Sequence, residues 1–182
     1  MISGIALAVG TAVIVWYSRR SLLHPRSHGF ARFFAFEAIF VLIVRNAPYW
    51  FVRPLAPRQL GSWLLLIISV VLVVWGLVLL HHRGGPRPVT DGSPMFAWEH
   101  TETLVTTGIF RYIRHPMYAS LLYLTWGALL KSVSVGALAL ASVATVALAA
   151  TARVEETENV ARFGQSYRDY MEHTRRFVPW VW

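Results

Sequence analysis

The chain predicts an all-α, polytopic membrane protein: about five transmembrane helices closed by a carboxyl-terminal cytoplasmic helical cap. Three observations carry that reading. Of its 182 residues 55% are hydrophobic and 14% charged, at a mean hydropathy of +0.48, where ordinary soluble domains run at about a quarter charged. Five apolar stretches are separated by polar or mixed breaks. Arginine is shared unequally between the two sets of breaks.

The first stretch, Ile2 to Tyr17, has no cationic segment before it and no small-residue cleavage signal after it, so it is expected to be a retained anchor rather than a signal peptide. The second runs from Phe30 to Val44, the third from Ser62 to Leu80, the fourth from Pro116 to Leu130 and the fifth from Val133 to Thr151. A bilayer core of about 30 Å calls for about 20 helical residues. The second and fourth are short by that measure, which leaves less tilt, extension by flanking aromatics or burial inside the bundle as ways to fit. Trp16, Tyr17, Tyr49, Trp50, Trp63, Trp126 and Trp180 gather at span ends, as an interfacial aromatic belt does. Glu37 falls in the middle of the second span, where an ionised carboxylate is costly. It is expected either to face a cavity lined by another helix or to be neutral and hydrogen-bonded.

With five spans, the segments around residues 18–32, 81–115 and 152–182 share one side. They hold 13 of the 17 Lys+Arg: Arg19, Arg20, Arg26 and Arg32, then Arg83, Arg87, Arg111 and Arg114, then Arg153, Arg162, Arg168, Arg175 and Arg176. Only Arg45, Arg53, Arg58 and Lys131 lie opposite. The positive-inside bias therefore puts the amino terminus outside and the carboxyl terminus in the cytoplasm. The net charge of +8 is spread along membrane edges and not gathered on a soluble module, so anionic lipid headgroups explain it better than nucleic acid does.

There is no cysteine, which excludes disulfides, thiolate zinc sites and a cysteine nucleophile. His24, His28, His81 and His82 lie in loops or at span ends with no metal-ligand spacing, so no metal site is expected. The stretch from Arg83 to Pro94 is rich in glycine and proline and reads as a linker looping over the cytoplasmic face. Met95 to Thr107 fits an extended segment or a short interfacial helix. Pro116 suits the first turn of a helix, which leaves Arg114 and His115 just before its positive end, where backbone N–H groups attract anions.

Lys131 to Ser134 is the only polar break between the last two spans, so the chain must turn there and return Arg153-Val154-Glu155-Glu156 to the side of Arg114-His115. No breaker follows until Gly164, and one continuous helix is expected to end near Phe163 with Gly164 as its left-handed cap. A second short helix, about Gln165 to Thr174, puts Tyr167 and Tyr170 on one face. Glu158 and Arg162 are spaced for an i, i+4 ion pair.

In order and spacing, these residues resemble the isoprenylcysteine carboxyl methyltransferase and phospholipid methyltransferase superfamily. The resemblance covers about the last 80 residues. It comprises Leu104-Val105-Thr106-Thr107-Gly108, Arg111-Tyr112, Arg114-His115-Pro116-Met117-Tyr118, Glu155-Glu156 ahead of Phe163-Gly164, then Tyr167, Tyr170 and Arg176-Phe177-Val178-Pro179. Two departures stand out: Ser120 replaces the small residue, most often glycine, usual two positions after the tyrosine, and no arginine stands a full turn before the acidic pair, Arg153 being the nearest.

The resemblance implies S-adenosylmethionine as methyl donor and one methyltransferase domain over residues 1–182. Residues 1–80 would supply three spans, 81–115 a cytoplasmic loop and cofactor segment, 116–152 the hairpin and 153–182 the cofactor-binding terminal helices. Gly108, Tyr112, Arg114, His115, Pro116, Tyr118, Glu155 and Glu156 are the expected cofactor-binding residues, and Arg153 and Glu156 the expected catalytic ones. The donor carries an ammonium, a carboxylate, a ribose diol and a sulfonium, so groups of both signs suit it. A lipid-borne carboxylate acceptor would need only an orienting cation, Arg153; an amine acceptor would need a carboxylate such as Glu156 to handle its proton. Carboxyl O-methylation of an isoprenylcysteine-like or other lipophilic acid is preferred over phospholipid-amine N-methylation. The rival class is a transporter or assembly subunit without catalysis, but transporters place ionisable groups near the bilayer midplane and here only Glu37 does so.

Overall fold

The computed structural model describes residues 2–85 and 103–181. Arg87, the proline- and glycine-rich part of the linker from Pro86 to Pro94, and Met95 to Glu102 of the mixed segment lie outside the described residues. Six α-helices follow in order: α1 (Ile2–Leu22), α2 (His28–Asn46), α3 (Pro57–Arg83), α4 (Pro116–Lys131), α5 (Val135–Phe163) and α6 (Gln165–His173). Short 3₁₀ turns occupy Ala47–Tyr49 and Gly108–Arg111. Among the described residues the only β pairing is an isolated parallel bridge between Ile113 and Arg175.

The first four expected spans lie within helices that overrun them at both ends or at one end, whereas the fifth, expected from Val133, starts as a helix only at Val135, after the Ser134 cap, and runs on past Thr151 to Phe163. Two of them, Pro57–Arg83 and Val135–Phe163, are long and apolar enough to cross a membrane by length and composition. Much of their apolar surface faces outward: Leu64, Ile67 and Val70 on α3 and Val143 and Val146 on α5 are exposed, a pattern that suits lipid rather than water.

Small residues set how closely the helices approach. On α5, Ala137, Ala141, Ala144, Leu148 and Ala152 are fully buried at steps of four or three, which keeps one stripe facing α2. Across from it α2 presents Ala35, Ala38, Ile39 and Leu42. Gly127 brings α4 against α3, since a Cβ there would stand 3.0 Å from the Leu66 side chain and 3.3 Å from the Ser62 carbonyl.

The shortness of α4 is resolved by burial. Its 16 residues span about 24 Å, less than a bilayer core, and its last carbonyls end inside the bundle. Side chains of its neighbours meet them: Ser62 Oγ donates to the Gly127 carbonyl at 2.7 Å, Asn46 Nδ2 to Ala128 and Ser132 at 2.8 and 3.2 Å, and Gln59 Nε2 to Lys131 at 3.2 Å. A helix end that would otherwise need water is thus satisfied by α2 and α3.

Glu37 is hydrogen-bonded across to α1. Thr11 Oγ1 of α1 donates to its carboxyl group, and it lines no part of the cavity described below. After α5, Gly164 adopts φ 62° and ψ −132°. This is a positive-φ cap, as expected, but not the left-handed helical one, and it separates α5 from α6.

Candidate active site

The α4–α5 hairpin brings the two polar clusters together. His115 is the residue just before α4, and Glu155 and Glu156 lie one turn beyond the apolar part of α5. His115 Nδ1 stands 3.8 Å from Glu155 Oε1, and its Nε2 stands 3.4 Å from Glu156 Oε1 without hydrogen-bond alignment. The turn at Lys131 to Ser134 makes neighbours of groups some forty positions apart.

The carboxyl-terminal strap completes this end. Residues after α6 run beside Tyr112 to His115: the Arg114 amide donates to the Arg175 carbonyl at 2.7 Å, the His115 amide to Arg176 at 3.1 Å, and the Arg175 amide to Tyr112 at 3.1 Å. The amides of Arg114 and His115 are thus engaged by the strap. Phe177 is buried against the His115 ring, with centroids 6.1 Å apart, and anchors the strap.

Glu156 is a structural hub. Its side chain is 5% exposed, and it accepts from Arg114 Nε at 2.9 Å and from Arg176 Nε and Nη2 at 3.0 and 2.8 Å. Burial by itself would push its carboxyl pKa up. The neighbouring His115, Arg176 and Arg114 outweigh that and hold it at about 2. Arg114 is occupied in turn, donating through Nη1 to the carbonyls of Met171 at 3.1 Å and Thr174 at 2.5 Å. The network ties α5 to α6 and to the segment ahead of α4.

Glue and opening are divided between adjacent residues, because Glu155, the neighbour of that hub, lines a cavity of about 340 Å³. Its Oε2 accepts from the Tyr118 hydroxyl at 2.5 Å. Tyr118 stacks on His115, with ring centroids 5.5 Å apart and planes 20° apart. Around them the cavity wall combines cations (Arg114, Arg162), acids (Glu155, Glu158) and aromatic faces (Phe110, Phe163). Tyr167 and Tyr170 of α6 close one side. Burial raises the pKa of both phenols, and the Tyr170 hydroxyl donates to the Phe110 carbonyl at 2.6 Å.

Of the residues singled out in the sequence, Arg114, His115, Pro116, Tyr118 and Glu155 line the cavity. Gly108, Tyr112, Glu156 and Arg153 do not. Gly108 opens the 3₁₀ turn at φ 62°, where a Cβ would stand 2.6 Å from the Leu79 side chain. Tyr112 is half-exposed and packs on Trp180 with centroids 6.2 Å apart. Arg153, expected to orient a carboxylate acceptor, is exposed and does not line the cavity. Glu158 meets a residue from the other end of the chain: His28 Nδ1 lies 2.5 Å from its Oε2, and the His28 backbone N–H donates to its Oε1 at 3.2 Å.

His28 is a cavity residue that sequence reasoning missed. The signal was present: a histidine opening the second span, on the side that carries the arginine excess, sits at the same depth as the two clusters. Spacing within a motif cannot reveal a partner 130 positions away.

The wall chemistry fits S-adenosylmethionine. Glu155 can accept from an ammonium or a ribose diol, His115 and Arg162 can meet a carboxylate, and Phe110, Tyr118 and Phe163 offer faces to a purine.

Residues 58–166, more than half of the chain, match the family described as phospholipid methyltransferase. Two curated proteins are similar over shorter stretches. Methanethiol S-methyltransferase 1 of Bradyrhizobium diazoefficiens is 28% identical over 72 residues, 40% of this chain and 25% of that protein. Methanethiol S-methyltransferase of Crocosphaera subtropica is 28% identical over 76 residues, 42% of this chain and 29% of that protein. The matched stretch spans under a third of the length of either relative. No solved structure matches the chain.

Proposed function

The chain belongs to the phospholipid methyltransferase family, and we propose that it transfers a methyl group from S-adenosylmethionine to a lipophilic acceptor at the membrane–cytosol interface. The observation that carries this reading is the meeting of His115 and Glu155 in one cavity at the mouth of an apolar helical hairpin. Five helices cross the bilayer, α6 and the strap form the cytoplasmic cap, and the amino terminus lies outside. In a bacterial cell the membrane is the inner one. Support for this orientation is the arginine excess, which falls on the cavity's side of the bundle.

When bound, S-adenosylmethionine supplies a methyl already activated on a sulfonium. The protein's task is then chiefly position, and holding two reactants in attack geometry can remove about 7–11 kcal/mol of barrier. Glu155, oriented by the Tyr118 hydroxyl, takes the donor's ammonium or ribose hydroxyls. His115 and Arg162 take its carboxylate. The α6 tyrosines, held neutral by burial, exclude water from that side.

Between the two acceptor chemistries, the family description favours phospholipid-amine N-methylation over carboxyl O-methylation. Arg153, expected to orient a carboxylate, and Glu156, expected to handle an amine's proton, both lie outside the cavity, so the preference rests on the family.

Calorimetry on the purified protein in detergent tests the donor site. Wild-type protein binds S-adenosylmethionine and its demethylated product, and Glu155→Gln weakens both by about 10- to 100-fold, as expected for a lost hydrogen bond to a charged group. Equal affinities in the two proteins would refute the assignment.

A further inference from the structure

The carboxyl-terminal strap ends in a feature that the donor site does not explain. Val178 to Val181 form a turn closed by the Val181 N–H on the Val178 carbonyl at 3.2 Å, with Pro179 second and Trp180 third. Trp180 has φ 63°, the left-handed region that the third position of a proline turn normally gives to glycine. A bulky residue is strained there, and Trp180 is also 81% exposed, beside Val181 at 78%. In water both choices are unfavourable. At a membrane–water boundary an outward indole is stabilised, because its ring is apolar and its N–H is polar.

The turn lies at the level of that boundary. Trp180 packs on Tyr112, and the segment ahead of Tyr112 rests on the last turns of α3: Arg83 Nη1 donates to Thr107 Oγ1 at 2.9 Å, and the Leu79 side chain lies against Gly108. On α3 the outward-facing apolar residues Val71, Val74, Trp75 and Val78 run up to that level and give way to exposed His81 and His82. The patch is therefore continuous with a lipid-facing surface. Two cations accompany it. Arg111 precedes Tyr112, Arg175 is bonded through its backbone to Tyr112 and Arg114, and both arginines are exposed.

We propose that Trp180 and Val181, with Arg111 and Arg175, seat on the cytoplasmic leaflet and bind the phosphate of an anionic lipid, and that this contact controls the donor site. The lipid acts as an effector and is not the methyl acceptor. What is controlled rests on the donor reading of the preceding subsection; the lipid contact itself does not. The route between them is short. Between Arg175 and Trp180 the strap carries Arg176, which donates to Glu156, and Phe177, buried against the His115 ring. A lipid that binds the seated strap raises the population in which His115 is fixed, and by linkage it raises donor affinity. Attraction of each arginine to an anionic surface is worth about fivefold, which bounds the coupling at about 25-fold.

The test uses full-length protein in nanodiscs of phosphatidylcholine, with or without phosphatidylglycerol. Calorimetry with S-adenosylmethionine should give a Kd about 5- to 25-fold tighter in the anionic discs. The gain should vanish at about 1 M salt, where the screening length is about 3 Å. The double variant Arg111→Gln, Arg175→Gln keeps the neutral-disc affinity within about twofold and loses the gain. Because the chain has no cysteine, Val181→Cys accepts a single environment-sensitive fluorophore, whose emission should shift to the blue in anionic discs with no donor present. Equal donor affinity in the two discs, a gain that survives in the double variant, a gain reproduced by soluble glycerol phosphate in neutral discs, or an unmoved fluorophore would overturn the proposal. If wild-type protein binds no donor in either disc while the fluorophore still shifts, the donor reading falls with the control that depends on it, and the lipid contact alone stands.

Discussion

The two ends of the bundle both bury charge, and they deal with it in opposite ways. At the cavity end, Glu156 is surrounded by Arg114, Arg176 and His115, and every close contact is between groups of opposite or complementary charge. At the other end, Lys131 is fully buried with no hydrogen-bond partner for Nζ among the described residues, and Nζ rests 3.3 Å from the Trp63 ring centroid and 5.4 Å from that of Trp50. Paired charge locks three segments in register and holds a cavity open beside them. The solitary ammonium has only packing to organise, at the end of a helix whose carbonyls are already met by Asn46, Gln59 and Ser62. The charge network in this molecule borders the cavity, and the buried charge without one lies where a helix ends.

The strongest way to break that contrast is Glu156→Gln. The amide keeps the shape but leaves two arginines facing a neutral group, and breaking a buried pair costs about 3–5 kcal/mol. The thermal midpoint in detergent should drop accordingly, and the strap should become susceptible to protease near Arg175 and Arg176. The pH dependence has a definite sign. The carboxyl sits at about 2 when folded against an ordinary 4.5, so its contribution is complete above about pH 4.5 and is lost as the pH falls toward 2. That shift corresponds to about 3 kcal/mol. Wild-type stability should therefore fall more steeply than that of Glu156→Gln between pH 4.5 and 2; parallel curves would mean that the network is not holding the ionised form.

A smaller effect is expected from Asn46→Ala at the opposite end. Asn46 is buried and its amide donates to two carbonyls at the end of α4. Leaving buried acceptors unpaired costs about 1–3 kcal/mol. The loss should appear in unfolding while donor affinity, read by calorimetry, stays unchanged. A variant that lost donor binding in step with stability would show that the two ends are not separable.

How much of this was legible in the sequence follows from what each feature depends on. Hydropathy and breakers located the helices, because Pro116, Gly164 and the polar break at Lys131 to Ser134 act on the local backbone. The hairpin argument brought His115 beside Glu155, because a short turn leaves no other topology. Roles within the acidic pair were not legible. Adjacent glutamates look alike in a sequence, but they point about 100° apart on a helix, and one direction leads to the arginines while the other leads to the cavity. The strap that occupies the amides of Arg114 and His115, and the reach of Glu158 to His28, depend on packing between segments 60 and 130 residues apart. Arg153 suffered from the same helical geometry as the glutamates: near the acids in sequence, it emerges on an exposed face.

The smallest expected effect gives the sharpest form of the contrast. In Lys131→Met, a side chain of similar length loses its charge. The cation–π contacts contribute about 0.5–2 kcal/mol and the position at a helix carboxyl end about 0.3–1 kcal/mol, but taking an ammonium out of water costs several kcal/mol. These oppose each other, so the methionine should change unfolding stability by no more than about 1 kcal/mol in either direction, and gain is as acceptable as loss. Methyl transfer should be unaffected, since the residue lies at the far end of α4 from His115. A loss of about 2 kcal/mol or more would place Lys131 in the same class as Glu156, and the rule that networks alone make buried charge indispensable here would fail.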